Sequence, residues 1–446
     1  MMITGRVSQI VGMTVLAEGL PATLGAVARI EPHSVPPIDA QVVGFLSSTA
    51  VLMPLREPRG VAAGDPVSSS AAMQVVPVGR QMLGRVIDGM GRVIGSVGGD
   101  GRDFAVEAHY PVYAPPPAPL SRRPIQKAVA VGVRSIDAMH TIGCGQRMGI
   151  FAGTGVGKSV LMGMIARYTS ADVTVVALVG ERGREVGDFI RKDLGEEGLR
   201  RTVLVVSTSD ESPVLRVRAG FVATAVAEYF RDLGHDVLLM MDSVTRMAMA
   251  QREIGLAAGE PPATKGYTPS VFALLPRLLE RAGQAARGSI TGLYTVLVEG
   301  DDINDPISDA ARGTLDGHVW LSRRLANRGH YPAVSVLDSI SRVMVDVADD
   351  EHRKAAREIR AVLAIWSEIE DLVNIGAYAE GHNVEYDIAV KMKPRIDAFL
   401  QQGMREAVTL AESRHAIVEL ARETSTLRMT LTSRSTAPAS AAARRS

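Results

Sequence analysis

Residues 147–161 read R-M-G-I-F-A-G-T-G-V-G-K-S-V-L. The apolar run at 148–151 predicts a buried strand, the glycines at 153, 155 and 157 a tight loop, and the apolar spacing after Ser159 a helix. That order is strand, phosphate loop, helix. Glycine suits such a loop because consecutive backbone N–H groups turn inward around one phosphate, where a Cβ would obstruct the approach. On this reading Gly153, Thr154, Gly155, Val156, Gly157, Lys158, Ser159 and Val160 cradle a nucleotide. Lys158 brings a point charge to the β and γ phosphates, and the Ser159 hydroxyl is placed to ligate Mg²⁺. Ala152 stands where the pattern G-x-x-x-x-G-K-[ST] has its first glycine, and it is small enough to keep the turn. The competing reading, a glycine-rich turn that binds nothing, leaves the strand before it and the helix after it unexplained.

Around this stretch, 446 residues are too many for one ordinary core and predict two or three domains. Lys plus Arg and Asp plus Glu number 49 each, so no overall field draws the chain towards nucleic acid or an anionic membrane. Cys144 is the only cysteine, which excludes an intrachain disulfide and a cysteine-rich metal site and fits a reducing compartment. Gly5, Arg6, Gly12 and Thr14 interrupt the apolar residues of the N-terminus, so a signal-peptide core is missing. No uninterrupted apolar stretch is long enough to cross a bilayer, and the expectation is a soluble cytoplasmic protein.

From residue 3 to about 78, short β-rich pieces such as 41–45 and 50–53 alternate with Gly and Pro punctuation, predicting a small closed or sandwiched β domain. A nucleic-acid barrel would expose aromatics for base stacking, yet Phe45 is the only aromatic before Phe104. Subunit packing is the preferred use. Residues 84–91 read as a turn-rich connector and 110–119 as a proline-stiffened segment. Beyond the loop, buried-strand patterns at 173–179, 203–206, 237–241 and 294–298 alternate with helical ones such as 221–233. This predicts an α/β core with a mostly parallel sheet covered on both faces. After about residue 347 three helical segments are expected, at 351–373, 386–401 and 404–422. The domains are then 1–82 (β-barrel), 83–347 (α/β core with the phosphate loop), 348–424 (helical) and a disordered tail at 425–446, low in complexity at its end.

Hydrolysis needs a metal carboxylate and a group that orients water. Asp242 closes the apolar run V-L-L-M-M at the carboxyl edge of a predicted strand, where ligands bind in open α/β sheets, and is read as the magnesium carboxylate rather than a helix cap. Glu181 ends another buried strand in the same way and can accept a hydrogen bond from attacking water. Arg182 is assigned to the Glu181 side or to the phosphates, and Glu185 to an ion pair or a cap. Arg342 reads as a solvated residue, half of an ion pair, or a finger reaching a neighbouring subunit's nucleotide; the residues alone leave these open.

Five segments together resemble a known family: A-G-T-G-V-G-K-S at 152–159, G-E-R-G-R-E-V at 180–186, L-M-M-D-S-V-T-R at 239–246, A-Q-R-E-I-G-L-A-A-G-E-P-P at 250–262 and G-Y-T-P-S-V-F at 266–272. The chain resembles the type III export ATPases, relatives of the catalytic subunit of rotary ATP synthases. M-A-M-A-Q-R at 247–252 and A-T-K-G-Y-T-P at 263–269 are more similar to the flagellar branch than to the injectisome branch. The resemblance implies a RecA-like P-loop NTPase core, a homohexameric ring and ATP with Mg²⁺ between subunits. Glu181 matches the catalytic glutamate with Arg182 beside it, Lys158, Ser159 and Asp242 the phosphate and magnesium groups, Tyr331 the adenine-stacking aromatic, and Arg342 the finger given in trans. Residues 332–341 fit the rotary-ATPase signature except that Ser335 replaces the usual Asp, Asn or His. Residues 265–269 resemble the loop lining the ring's central hole.

Further implications are a central stalk protein in the pore, a peripheral regulator of the ATPase, a membrane export gate, export substrates and chaperones, and peripheral association with an inner-membrane export apparatus. The function expected is an ATP-driven motor for flagellar protein export. The alternatives are an injectisome ATPase, a rotary ATP synthase catalytic subunit, a hexameric nucleic-acid translocase and a non-catalytic binding module. The aromatic-poor N-terminal domain speaks against nucleic acid.

Overall fold

The computed structural model describes residues 2–70, 74–96, 103–298, 300, 302 and 305–436. Their contacts divide the chain into two compact units. One comprises Met1–Ile125, Cys144–Thr154 and Ala171–His318; the other comprises Gln126–Gly143, Gly155–Ser170 and Val319–Ser446.

The first unit opens with six strands, Met2–Val11, Thr14–Glu18, Val27–Ile30, Ile38–Leu46, Thr49–Pro54 and Pro66–Ser70, closed into the expected barrel. Alternation builds it: along Ile38–Leu46, Ile38, Ala40 and Val42 face a core of Val15, Ala28, Ile30 and Leu52 while their neighbours are partly exposed. Closure pairs every strand and leaves no sheet edge to aggregate. At Gly44 a Cβ would stand 3.1 Å from Ala258 Cβ, so the barrel strand passes close to the end of the helix Val244–Ala257.

The parallel sheet of this unit runs Arg147–Ala152, Ser289–Leu297, Asp236–Asp242, Val173–Glu181, Thr202–Thr208, Arg85–Asp88, with Val93–Ser96 antiparallel beside the last. All nine residues of Val173–Glu181 are buried, as a strand covered on both faces requires. The helix Pro213–Asp232 carries Pro213 in its first turn and Ser212 as its cap, the Ser212 hydroxyl accepting from Leu215 N at 3.4 Å. One expectation is corrected here: residues 84–91 are not merely a connector. Arg85–Asp88 is a strand, with Val86 opposite Leu204 and Ile87 fully buried opposite Val205. Two apolar residues between glycines carry no periodicity to read, and only the neighbouring strand's free edge makes them a strand.

In the second unit, the helix Lys158–Tyr168 and the strand Val334–Ser341 accompany three long helices, Asp350–Asn374, Val384–Leu400 and Leu410–Thr436. Ile359, Val362, Ile369, Ile388, Ile396 and Ile417 form their shared core. Asp349 caps the first helix, accepting from His352 N at 3.0 Å, and the His352 ring bonds Ala138 O at 2.8 Å. The third helix differs from expectation at both ends. It starts at Leu410, leaving Met404 in a loop, and it runs on to Thr436, so 425–436 of the expected tail are helical; 437–446 lie outside the described residues. Ser and Thr there disfavour a helix locally. Packing overrides this, because Leu427 and Leu431 lie against the core and Arg428 donates to both Glu385 oxygens at 2.8 and 2.9 Å.

Candidate active site

Glu181 ends a strand whose pairing with Thr202–Thr208 slips by one residue between Val179 and Glu181. The extra residue is Gly180, with φ of +71°. Such a bulge re-aims the side chain that follows it. Glu181 is 7% exposed, and its Oε1 accepts from Arg246 Nε at 3.1 Å. A Cβ on Gly180 would come within 3.0 Å of Arg246 Cβ and Cδ, so the glycine also makes room for the arginine that holds the carboxylate. Arg246 was not singled out by the sequence. Its signal was indirect: Ser243, three residues earlier, caps the helix Val244–Ala257, its hydroxyl accepting from Arg246 N at 3.2 Å and so fixing the arginine's position in the first turn.

Arg182, expected beside Glu181, is exposed and donates to Glu185 Oε1 at 3.2 Å. The reason is local: Arg182 already precedes the short helix Gly183–Asp188, and Glu185 lies one turn on. Glu185 thus has the ion pair read for it.

Asp242 ends the adjacent strand, its Cα paired with Leu178, and is 4% exposed. Its Oδ1 accepts from Thr295 Oγ1 at 2.7 Å, which orients the carboxylate. Both carboxylates therefore stand at the carboxyl edge of one parallel sheet, the edge from which Ala152 leads into Gly153.

In the second unit Gly155 and Gly157 have φ of +78° and +89°, the left-handed conformation that glycine adopts without cost. Among the described residues, chain neighbours aside, no atom lies within 4 Å of where a Gly155 Cβ would be, so the turn is open on that side. Lys158 begins a helix whose N-terminal N–H groups and dipole favour an anion. Tyr331 lies against Gly157, whose Cβ would be 3.3 Å from the ring's Cε1. A cavity of about 320 Å³ opens here, lined by Gly155, Gly157, Val160, Leu321, Tyr331, Pro332, Ala333, Gln402 and Met404 among others. Arg342 is exposed just beyond Val334–Ser341, and among the described residues no hydrogen bond or ion pair holds it. The Ser335 departure is accommodated locally: its hydroxyl donates to Asp338 Oδ2 at 2.6 Å. Lys265, in the segment 265–269, pairs with Asp302 at 3.0 Å.

The sequence model of the ATP synthase alpha/beta family, nucleotide-binding domain, matches residues 132–341, and that of the T3SS EscN ATPase C-terminal domain matches residues 348–419. The flagellum-specific ATP synthase of Bacillus subtilis (strain 168) is 51% identical over 93% of this chain and 94% of its own. The chain belongs to the flagellar and type III secretion ATPase family. The type 3 secretion system ATPase of Xanthomonas euvesicatoria is 48% identical over 89% of each chain. A solved structure of the assembled ATPase EscN with its central stalk EscO, from the enteropathogenic E. coli type III secretion system, matches with a TM-score of 0.85 and 42% identity, covering 94% of this chain and all of that one. As a member of this family the protein is an ATPase with a P-loop nucleotide-binding core. Among the described residues no helix is long and apolar enough to cross a membrane.

Proposed function

We propose that this ATPase is the motor of a flagellar protein export apparatus, working as a homohexamer on MgATP. The observation that carries the catalytic part is Glu181: a buried carboxylate, re-aimed by the Gly180 bulge and held by Arg246, at the sheet edge that also presents Asp242. The residues fit the expected ligands. Positive-φ glycines leave an open turn before a helix N-terminus, which suits a triphosphate. Among the described residues no cluster of three His, Cys, Asp or Glu could hold a metal on its own, so a divalent ion would be shared with the nucleotide, as magnesium usually is.

In this reading residues 153–160 bind the phosphates, and Tyr331 stacks on the base. Ser159 and Asp242 would hold Mg²⁺, which when bound neutralises charge on the β and γ phosphates. Glu181 accepts a hydrogen bond from the attacking water and orients it for in-line attack. Arg246 keeps the Glu181 carboxylate aimed, the place first assigned to Arg182. Lys158 and a neighbouring subunit's Arg342 stabilise charge on the transferring phosphoryl group, an effect of order 10³–10⁵ where such fingers act. The domain partition 1–82, 83–347 and 348–424 belongs to the same reading. So do a stalk protein in the pore, a peripheral regulator, a membrane export gate, export substrates with chaperones, and a cytoplasmic location at the inner-membrane export apparatus. The stalk has support from the EscN–EscO assembly.

The test is ATP turnover against protein concentration for wild type, Glu181→Gln, Arg342→Ala and an equal mixture of the two variants. Turnover rising cooperatively with concentration, absent in each variant and partly restored in the mixture, is the expected result. A concentration-independent rate, or normal turnover by Arg342→Ala, sinks the shared interface site. Similarity to injectisome ATPases keeps that second reading in view. Deleting the gene separates them: loss of motility and of flagellar export favours the first, intact motility with lost effector secretion the second.

A further inference from the structure

The cavity beside Tyr331 has a wall that the phosphate loop and the signature strand do not supply. It comes from the loop between the helices Val384–Leu400 and Leu410–Thr436, through Gln402 and Met404. Gln402 is 6% exposed, and both polar atoms of its amide have protein partners. Its Oε1 accepts from Arg134 N at 2.8 Å, and its Nε2 donates to Gly132 O and to Glu406 O, both at 2.8 Å. Its backbone N donates to Tyr331 O at 3.0 Å. Arg167, near the end of the phosphate-loop helix, donates to Met404 O at 2.7 Å.

A glutamine that lines a ligand cavity ordinarily reads a ligand through its amide. Here the amide oxygen has one partner and the amide nitrogen two, and all of them are backbone groups of the protein. The side chain is thereby locked by the protein's own backbone. It joins the backbone of Tyr331, the turn at Gly132 and the helical-hairpin loop at a single point.

We propose that Gln402 is a positioning residue for the nucleotide base: it sets the distance between the Tyr331 ring and the opposite wall and so fixes affinity for the base without entering the chemistry at the phosphates. The proposal rests on the reading of the Tyr331 cavity as the base site. It implies that the helical hairpin, whose loop carries Gln402, bears directly on nucleotide affinity. Glutamate at this position would keep the acceptor towards Arg134 N but aim a carboxylate at two carbonyls. Asparagine keeps both amide groups on a stem one methylene short.

The experiment uses the full chain and compares wild type, Gln402→Glu and Gln402→Asn. It measures KM and kcat for ATP, the Kd of ATP and of inorganic tripolyphosphate, which has no base, and melting without nucleotide. The expected result is a KM and Kd for ATP raised about tenfold, as the loss of one or two buried hydrogen bonds implies. Saturating kcat and the Kd of tripolyphosphate stay as in wild type. Should Gln402→Glu fail to fold, Gln402→Asn carries the same expectation. Variants that melt earlier yet keep the wild-type preference for ATP over tripolyphosphate show a merely structural glutamine and overturn the proposal. Wild type binding both ligands equally would instead overturn the base site itself, a different failure.

Discussion

Gly180 shows how much one residue decides. Its φ of +71° makes the bulge, and its missing Cβ admits the Arg246 side chain, so two independent demands fall on one position. Gly180→Ala introduces left-handed strain and a 3.0 Å contact with Arg246 together. Its expected cost is roughly 1–3 kcal/mol of stability, with a kcat reduced more than tenfold because Glu181 loses its aim. Urea denaturation and steady-state turnover on the same preparation check this, and a variant as stable and as fast as wild type would refute it. The sequence showed Glu181 at a strand end and Arg182 next to it. It did not show that Arg246, 65 residues further on, makes the contact. Adjacency in the chain is a poor guide at a strand end, where the next side chain already belongs to a turn.

Among elements, the short helix Arg134–Met139 contains the most unusual carboxylate of the second unit. Asp137 is fully buried, and its oxygens accept from Val131 N and Gly132 N at 2.9 Å each. Burial raises its pKa from the ordinary 3.8 to about 7, against the pull of those backbone N–H groups. The folded state therefore keeps this proton to a higher pH than the unfolded chain does. Its contribution to stability is fully present below the ordinary pKa and is lost as pH rises from about 4 to about 7. The difference in urea midpoint between wild type and Asp137→Asn is expected to fall with rising pH across that window, a comparison that cancels the opposite contribution of His330 and His352, whose pKa values burial lowers. A difference that stays constant with pH would place the titration elsewhere. The same turn holds Gly132, whose carbonyl accepts from Gln402, so a locally unremarkable stretch, V-G-V-R-S-I-D, is tied to the wall of the cavity beside Tyr331.

For the whole molecule, balanced charge is the property that decides between ring motors. With 49 basic and 49 acidic residues the chain has no overall positive field, and Phe45 is the only aromatic its barrel offers for base stacking, both of which speak against a nucleic-acid translocase. Single-stranded RNA is expected neither to stimulate turnover nor to be retained at about 0.1 M salt. Stimulation that fades steeply as salt rises would restore the translocase reading. The barrel itself also answers a question of scale: closing its six strands removes the edges that would otherwise need partners.

By itself the sequence determined the phosphate loop, the alternating α/β core, the barrel before it, the helices after it, and the strand-end positions of Glu181 and Asp242. Those signals are local or periodic: glycines where backbone must bend, apolar runs where both faces are covered, and a carboxylate where such a run stops. Only the tertiary structure decided that Arg85–Asp88 joins the sheet, that Arg246 rather than Arg182 holds Glu181, that the last helix continues through Ser- and Thr-rich residues to Thr436, and that Gln402 closes the cavity beside Tyr331. Each of these depends on a partner distant in the chain. A free strand edge, a bulge that turns a side chain, an apolar helix face or three backbone groups converging on one amide leave no mark on the residues that answer to them.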